Sequence, residues 1–303
     1  MNTPKMIRKQ QHLKTNPINE LAALVRSERS GIQLAKLIQP GETVAITAGS
    51  RGIANLATVQ AEIVRELKKI GAKPFIIPAM GSHGGATADG QTKILAHYGI
   101  TEENMGVQIK SSMEVVQVGT TEEGINVYID KNAAGADHIV VVNRVKPHTD
   151  FKADIESGLF KMMVIGLGKQ KGADYYHNLI VRMGHYPVFS SIGREIFKRC
   201  NIAFGVALVE NQREETEIIR AIPAENIEAV EKDLLKRAKK MFPKIPLNPI
   251  DLLIVDWMGK EISGTGMDQN VIGRSVIPYH KPSKEIDIMR IFIRDLTDDS
   301  DGN

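Results

Sequence analysis

Thr43-Val-Ala-Ile-Thr47 runs into Ala48-Gly-Ser-Arg-Gly52, then into a periodic stretch from Ala54 to Ile70 closed by Gly71, and then into Pro74-Phe-Ile-Ile-Pro78. This stretch decides the fold class. Its ends are short apolar runs of strand length. Between them Leu56, Val59, Ile63, Leu67 and Ile70 recur at three- and four-residue steps, the signature of a helix with one buried face. Gly71 reads as the C-cap of that helix. A strand, a helix and a second strand in this order predict parallel pairing through a right-handed crossover.

Outward from this unit the pattern continues. His138-Ile-Val-Val-Val-Asn143 is a continuous apolar run, as expected of a strand buried on both faces, and it opens into Arg144-Val-Lys-Pro-His148. Further strands are expected at Ile202–Val209 and Ile250–Asp256, with a helical stretch at Ala224–Met241. Phe242-Pro-Lys-Ile-Pro-Leu-Asn-Pro249 carries three prolines and is the expected linker. The fold class is therefore α/β. Residues 1–245 are expected to form an N-terminal cofactor-binding and catalytic domain built on a mostly parallel sheet. Residues 246–303 would begin a second α/β domain that reads as truncated, too short for a complete doubly wound unit.

Composition removes other classes. With 303 residues, 42% hydrophobic and 25% charged, the chain can bury a core and is neither collagen-like nor disordered. No apolar run approaches the roughly 20 residues of a membrane span. The net charge is +3, and Lys5, Arg8, Lys9 and Lys14 make a basic arm without a stacking aromatic residue. Nucleic acid and membrane are therefore not expected partners. The arm lacks the apolar segment of a secretory signal. The single cysteine, Cys200, excludes an internal disulfide and a cysteine-built metal cluster, and the expected compartment is the cytoplasm.

Functional loops in open α/β sheets gather outside the carboxyl ends of the strands. Three loops here meet that description and carry polar residues. Gly49–Gly52 holds Ser50 and Arg51, Gly81–Thr87 holds His83, and Lys146–Thr149 holds Lys146 and His148. A strand-to-helix turn with an arginine suits an anion, since helix N-terminal N–H groups and a guanidinium both favour one. Neither the dinucleotide fingerprint nor a Walker A loop is present. Two histidines on such loops suit paired acid–base work, because imidazole titrates near neutral pH. Lys161 interrupts an otherwise apolar run, Gly158-Leu-Phe-Lys-Met-Met-Val-Ile165, either snorkelling to the surface or held in a cleft. His12, His97, His138, His185 and His280 read as structural or solvated.

These residues together resemble the nickel-dependent lactate racemase superfamily of 2-hydroxy-acid racemases and epimerases. The resemblance spans roughly residues 40–275 and rests on the Gly-x-His loop at His83, the Lys-Pro-His of Lys146–His148, Lys161, and His177 in Asp174-Tyr-Tyr-His177. It implies an isomerase that inverts C2 of a small 2-hydroxy acid by hydride transfer to a nickel-pincer nucleotide, a pyridinium mononucleotide holding one nickel ion. It implies that Lys161 joins the cofactor through a thioamide, that His177 completes the nickel coordination, and that His83 and His148 alternate as acid and base. Arg51 falls near an arginine that contacts phosphate or substrate, and Ser50 accompanies it in the cofactor-binding set. Cofactor-synthesis enzymes are implied partners, and a homodimer is allowed. The first loop departs from the family's acidic, Thr-Arg-Pro-like form, which points to a divergent branch and leaves the 2-hydroxy acid open. Two other functions are compatible with the same residues: a non-catalytic anion- or nucleotide-binding protein, and a zinc hydrolase using His83, His148 and His177. The latter lacks a closely spaced histidine pair.

Overall fold

The computed structural model describes residues 6–18, 20, 32–50, 52–149, 151–259, 261–264, 266–274 and 285–300. Contacts divide the chain into two units, Pro17–Met241 on one hand and Met1–Asn16 with Phe242–Asn303 on the other.

The larger unit carries a five-stranded sheet. Its strands are β1 (Thr43–Ala48), β2 (Lys73–Pro78), β5 (His138–Arg144), β6 (Ile202–Glu210) and β7 (Thr216–Pro223). They lie in the order β2-β1-β5-β6-β7. The first four are mutually parallel, with Ile46 opposite Ile76 and Val140, and only β7 runs antiparallel at the edge. A mostly parallel α/β sheet is thus present, as the sequence leads one to expect. Helix α1 (Leu56–Lys69) joins β1 to β2 and buries Leu56, Val59, Ile63 and Leu67. It ends at Gly71, whose φ of +81° is left-handed and whose added Cβ would lie 3.0 Å from Pro40.

The continuous apolar run of β5 has a direct physical use. Successive side chains of a strand alternate faces. Ile139 and Val141 enter the core on one side of the sheet, while Val140 and Val142 enter the core on the other. The first core also holds Phe160, Tyr176, Phe189, Ile192 and Ile196. These come from elements the sequence does not announce: α3 (Leu159–Lys161), α4 (Lys169–Met183) and α5 (His185–Arg199). A hairpin, β3 (Val115–Thr120) and β4 (Asn126–Asp130), packs on the same side. Helix α2 (Ala88–His97) follows β2, and α6 (Ile227–Lys240) follows β7.

The smaller unit contains a parallel pair, β8 (Ile250–Met258) and β9 (Ile288–Leu296). Leu252, Ile254, Trp257, Met289 and Phe292 of this pair are exposed. The described residues of the basic arm group with this unit instead of with 1–245. The prolines of 242–249 leave backbone carbonyls without a ladder to join. Lys9 Nζ donates to the Pro246 carbonyl at 3.4 Å, and Gln11 Nε2 to that of Lys244 at 3.3 Å. Among the described residues no helix is long and apolar enough to cross a membrane.

Candidate functional site

Because β2, β1 and β5 are parallel neighbours, the loops bearing His83, Ser50 and His148 leave one edge of the sheet, in that order. Arg51 lies outside the described residues.

His83 sits exposed in a loop of glycines. Gly84 has a φ of +67°, and a Cβ there would come within 2.7 Å of the Gly90–Gln91 backbone, so the turn requires glycine. The Ser50 hydroxyl hydrogen-bonds His83 Nδ1. Gln91 Nε2, from α2, donates to the Gly81 carbonyl at 2.9 Å and to the His83 carbonyl at 3.2 Å. Sequence reasoning thus names Ser50 and His83 separately, and the structure joins them.

His148 has the contrary setting. Its loop is closed by backbone bonds between Lys146 and Ser157, at 2.9 and 3.3 Å. Glu156 ties the interior: one carboxylate oxygen accepts the His148 N–H at 2.7 Å, the other the Ala153 N–H at 3.0 Å. Lys239 of α6 neutralises that carboxylate at 2.6 Å. The His148 ring stacks on Phe151, with centroids 3.8 Å apart and planes 21° from parallel. Phe151 stacks in turn on His185, and His185 lies against Phe189 at 3.8 Å. Burial, then the charge of Lys161, then His185, Lys146 and His177 drive His148 down to about 2. A half-buried ring beside cations avoids becoming a cation.

Lys161 ends the short helix α3. Two side chains fix the entry to that helix. Asn143, near the end of β5, donates to the Gly158 carbonyl at 2.7 Å. Glu231 of α6 accepts the Phe160 N–H at 3.1 Å, and it lies so close to Gly158 that a Cβ there would strike its carboxylate. Burial raises the Glu231 carboxyl to about 8. A π-helical turn, Met162–Gly166, follows Lys161; such turns recur at functional sites. The neighbouring loops abut this segment, Gly49 against Met162 and Gly81 against Ile165 and Gly166.

His177 is on α4 and His185 opens α5. Partial desolvation and then Lys161 lower His177, against Asp174. Burial, then Lys161, then His177 push His185 down to about 3. Lys161 therefore acts on three histidines from three elements, and gathers His148, His177 and His185 around it electrostatically. His185, read from the sequence as structural or solvated, packs its ring between Phe151 and Phe189. Both its ring nitrogens are buried with no hydrogen-bond partner among the described residues. The sequence signal for it is Gly184, which breaks α4 from α5 and starts the new helix eight residues after His177. Among the described residues no group of three His, Cys, Asp or Glu side chains is placed to hold a metal ion.

This is an α/β domain with polar loops collected at the carboxyl edge of its parallel strands. The family described as the lactate racemase N-terminal domain matches residues 4–185, and the chain belongs to that family. The fold is shared with the lactate racemase apoprotein of Thermoanaerobacterium thermosaccharolyticum, at 18% identity and a TM-score of 0.54 over 78% of this chain and 58% of that one. It is also shared with a Thermotoga maritima protein solved by structural genomics, at 15% identity and a TM-score of 0.59 over 82% of this chain and 66% of that one. The chain thus covers less than two thirds of either structure's length. No curated protein matches the sequence.

Proposed function

We propose that this chain binds a nickel-pincer nucleotide and carries the acid–base residues of a racemase or epimerase that inverts C2 of a 2-hydroxy acid. The observation behind this reading is the placement of the loops. Those of His83 and His148 flank the β1 loop, and Lys161 lies against the His148 side. A substrate held by its carboxylate at the β1 loop, with Arg51 as the anion contact, would have one imidazole on each side.

The residues fit the cofactor. Lys161 is the amine for its attachment, and His177, held toward its neutral form, is a suitable metal donor. When bound, the group supplies a hydride acceptor for C2 and a nickel ion at His177. The chain's own residues handle the proton. The Ser50 hydroxyl holds His83 Nδ1, and the imidazole is the proposed partner of the substrate hydroxyl. His148, kept neutral by burial, is the corresponding acceptor for the other enantiomer. Acylating Lys161 removes its positive charge, the second cause of the low His148 value, so attachment of the cofactor would itself make His148 more basic.

The test is to produce the protein together with the cofactor-synthesis enzymes and offer single enantiomers of C2-deuterated 2-hydroxy acids. Chiral chromatography should show the opposite enantiomer with deuterium retained at C2. Mass spectrometry should find an adduct on the Lys161 peptide, abolished by Lys161→Ala. Protein that keeps neither nickel nor adduct would favour the non-catalytic anion-binding alternative.

A further inference from the structure

We propose that Lys169 and Gln91 form a buried two-residue relay whose role is to position His83. Lys169 is fully buried, and it adopts a φ of +53° at the first residue of α4. A lysine is a costly way to fill a core, and a left-handed φ is costly for any residue with a Cβ. Its surroundings account for the burial. The ammonium donates to Gln91 Oε1 at 3.2 Å and to the carbonyl of Pro78, and the Asp130 carboxylate offsets its charge at 3.1 Å. Asp130 is itself fixed, since its other oxygen accepts the Ala133 N–H at 2.9 Å.

Pro78 is the last residue of β2, and His83 follows five residues later. Lys169 holds the carbonyl at the start of this connection. Gln91, gripped by Lys169 through its oxygen, uses its nitrogen to hold the carbonyls of Gly81 and His83. Two buried side chains therefore fix three carbonyls between the strand and the histidine. Both are completely inaccessible, so the exposed His83 hangs from an interior frame. The frame starts at the first residue of the helix that bears His177, which ties the His83 loop to that helix. A simple space-filling role would not need the amide of Gln91 to face Lys169 with one atom and the His83 loop with the other.

That His83 acts as an acid or base rests on the function proposed above; the relay does not, and it can be read without activity. In Gln91→Glu the acceptor for Lys169 is kept and the donors to Gly81 and His83 are lost. The probe is diethyl pyrocarbonate at neutral pH on the full-length chain, with each histidine followed by mass spectrometry, alongside long-range proton–nitrogen spectra of the ring. His83 should react at least about threefold faster, with an altered balance of its tautomers. His97, on the same helix as Gln91, and His177 should react as before. Lys169→Met alone would strand Asp130, so Lys169→Met is paired with Asp130→Asn, which keeps the cap on Ala133; this pair should reproduce the His83 effect. An unchanged His83 in folded Gln91→Glu protein overturns the relay. So does an equal rise at His97 and His177, which would mean general loosening. If His83 responds while the cofactor-loaded protein fails to racemise any 2-hydroxy acid, the relay stands and the functional reading falls.

Discussion

His83 stands exposed on a glycine loop with a serine hydroxyl on its ring, whereas His148 is enclosed between cations in a column of four rings. Both leave the same edge of one sheet, on either side of the β1 loop. The exposed ring has water to support a charge, and its geometry is set from beneath by Gln91 and Lys169. The half-buried ring has its plane set by aromatic neighbours, and its charge state is set by Lys161. Two residues proposed for mirror-related tasks are thus held by different physics, polar positioning on one side and desolvation on the other.

The strongest way to break this comparison is to remove each ring. His83→Ala and His148→Ala should each lower enantiomer interconversion by about 10²–10⁴-fold, the usual contribution of a general acid or base, while the Lys161 adduct persists. Wild-type rates in either variant would leave one base and no pair.

The next largest effect is on stability in acid. His148 and His185 titrate near 2 and 3 in the folded chain but near 6.5 when unfolded. Below about pH 6.5 the unfolded chain binds protons that the folded chain refuses, so stability falls as pH drops. Between pH 7 and pH 5 the loss should reach at most about 2 kcal/mol for each ring, read from urea unfolding at the two values. His185→Phe keeps a ring in the column and should remove about half of that slope.

A subtler measurement separates charge from burial. Lys161→Met removes the cation and keeps the length of the side chain. The titrations of His148, His177 and His185, followed by nuclear magnetic resonance, should all move upward, because Lys161 lowers each of them. A response from His148 alone would show that Lys161 does not lie among all three. The smallest effect belongs to Ser50→Ala. It deletes one hydrogen bond to an exposed ring, worth about 1 kcal/mol, so interconversion should fall less than about tenfold.

The parallel strands were legible because periodicity survives in sequence: β1, α1, β2, β5 and β6 follow from runs of apolar residues at steps of one or of three and four. Their order also places the His83 and His148 loops on one edge. The packing beneath the site was not legible. Glu231 and Lys239 lie on one amphipathic helix and read as its polar face, yet one holds the entry to α3 and the other holds the carboxylate beneath His148. Helices α4 and α5 escaped notice since Gly172, Gly184 and Gly193 interrupt their pattern. Lys169, unlike Lys161, stands in a polar stretch followed by Gln170 and Lys171, and nothing in the sequence says that it is buried and paired with Asp130, whose place on the hairpin is set by tertiary contact.

The π turn after Lys161 makes spacing an angular quantity. Lys161 and His177 are sixteen residues apart. On one unbroken α-helix that separation turns through about 1600°, leaving the two about 160° apart, on opposite sides of the rod. The turn at Met162–Gly166, with the left-handed step at Lys169, resets the phase so that the ammonium still acts on the imidazole. In this segment a single-residue deletion would act less as a shortening than as a rotation, by about 100° for everything downstream until the next break. Loss of the Lys161 effect on the His177 titration would report that rotation, and a compensating insertion that restores the angle should bring it back without restoring the sequence.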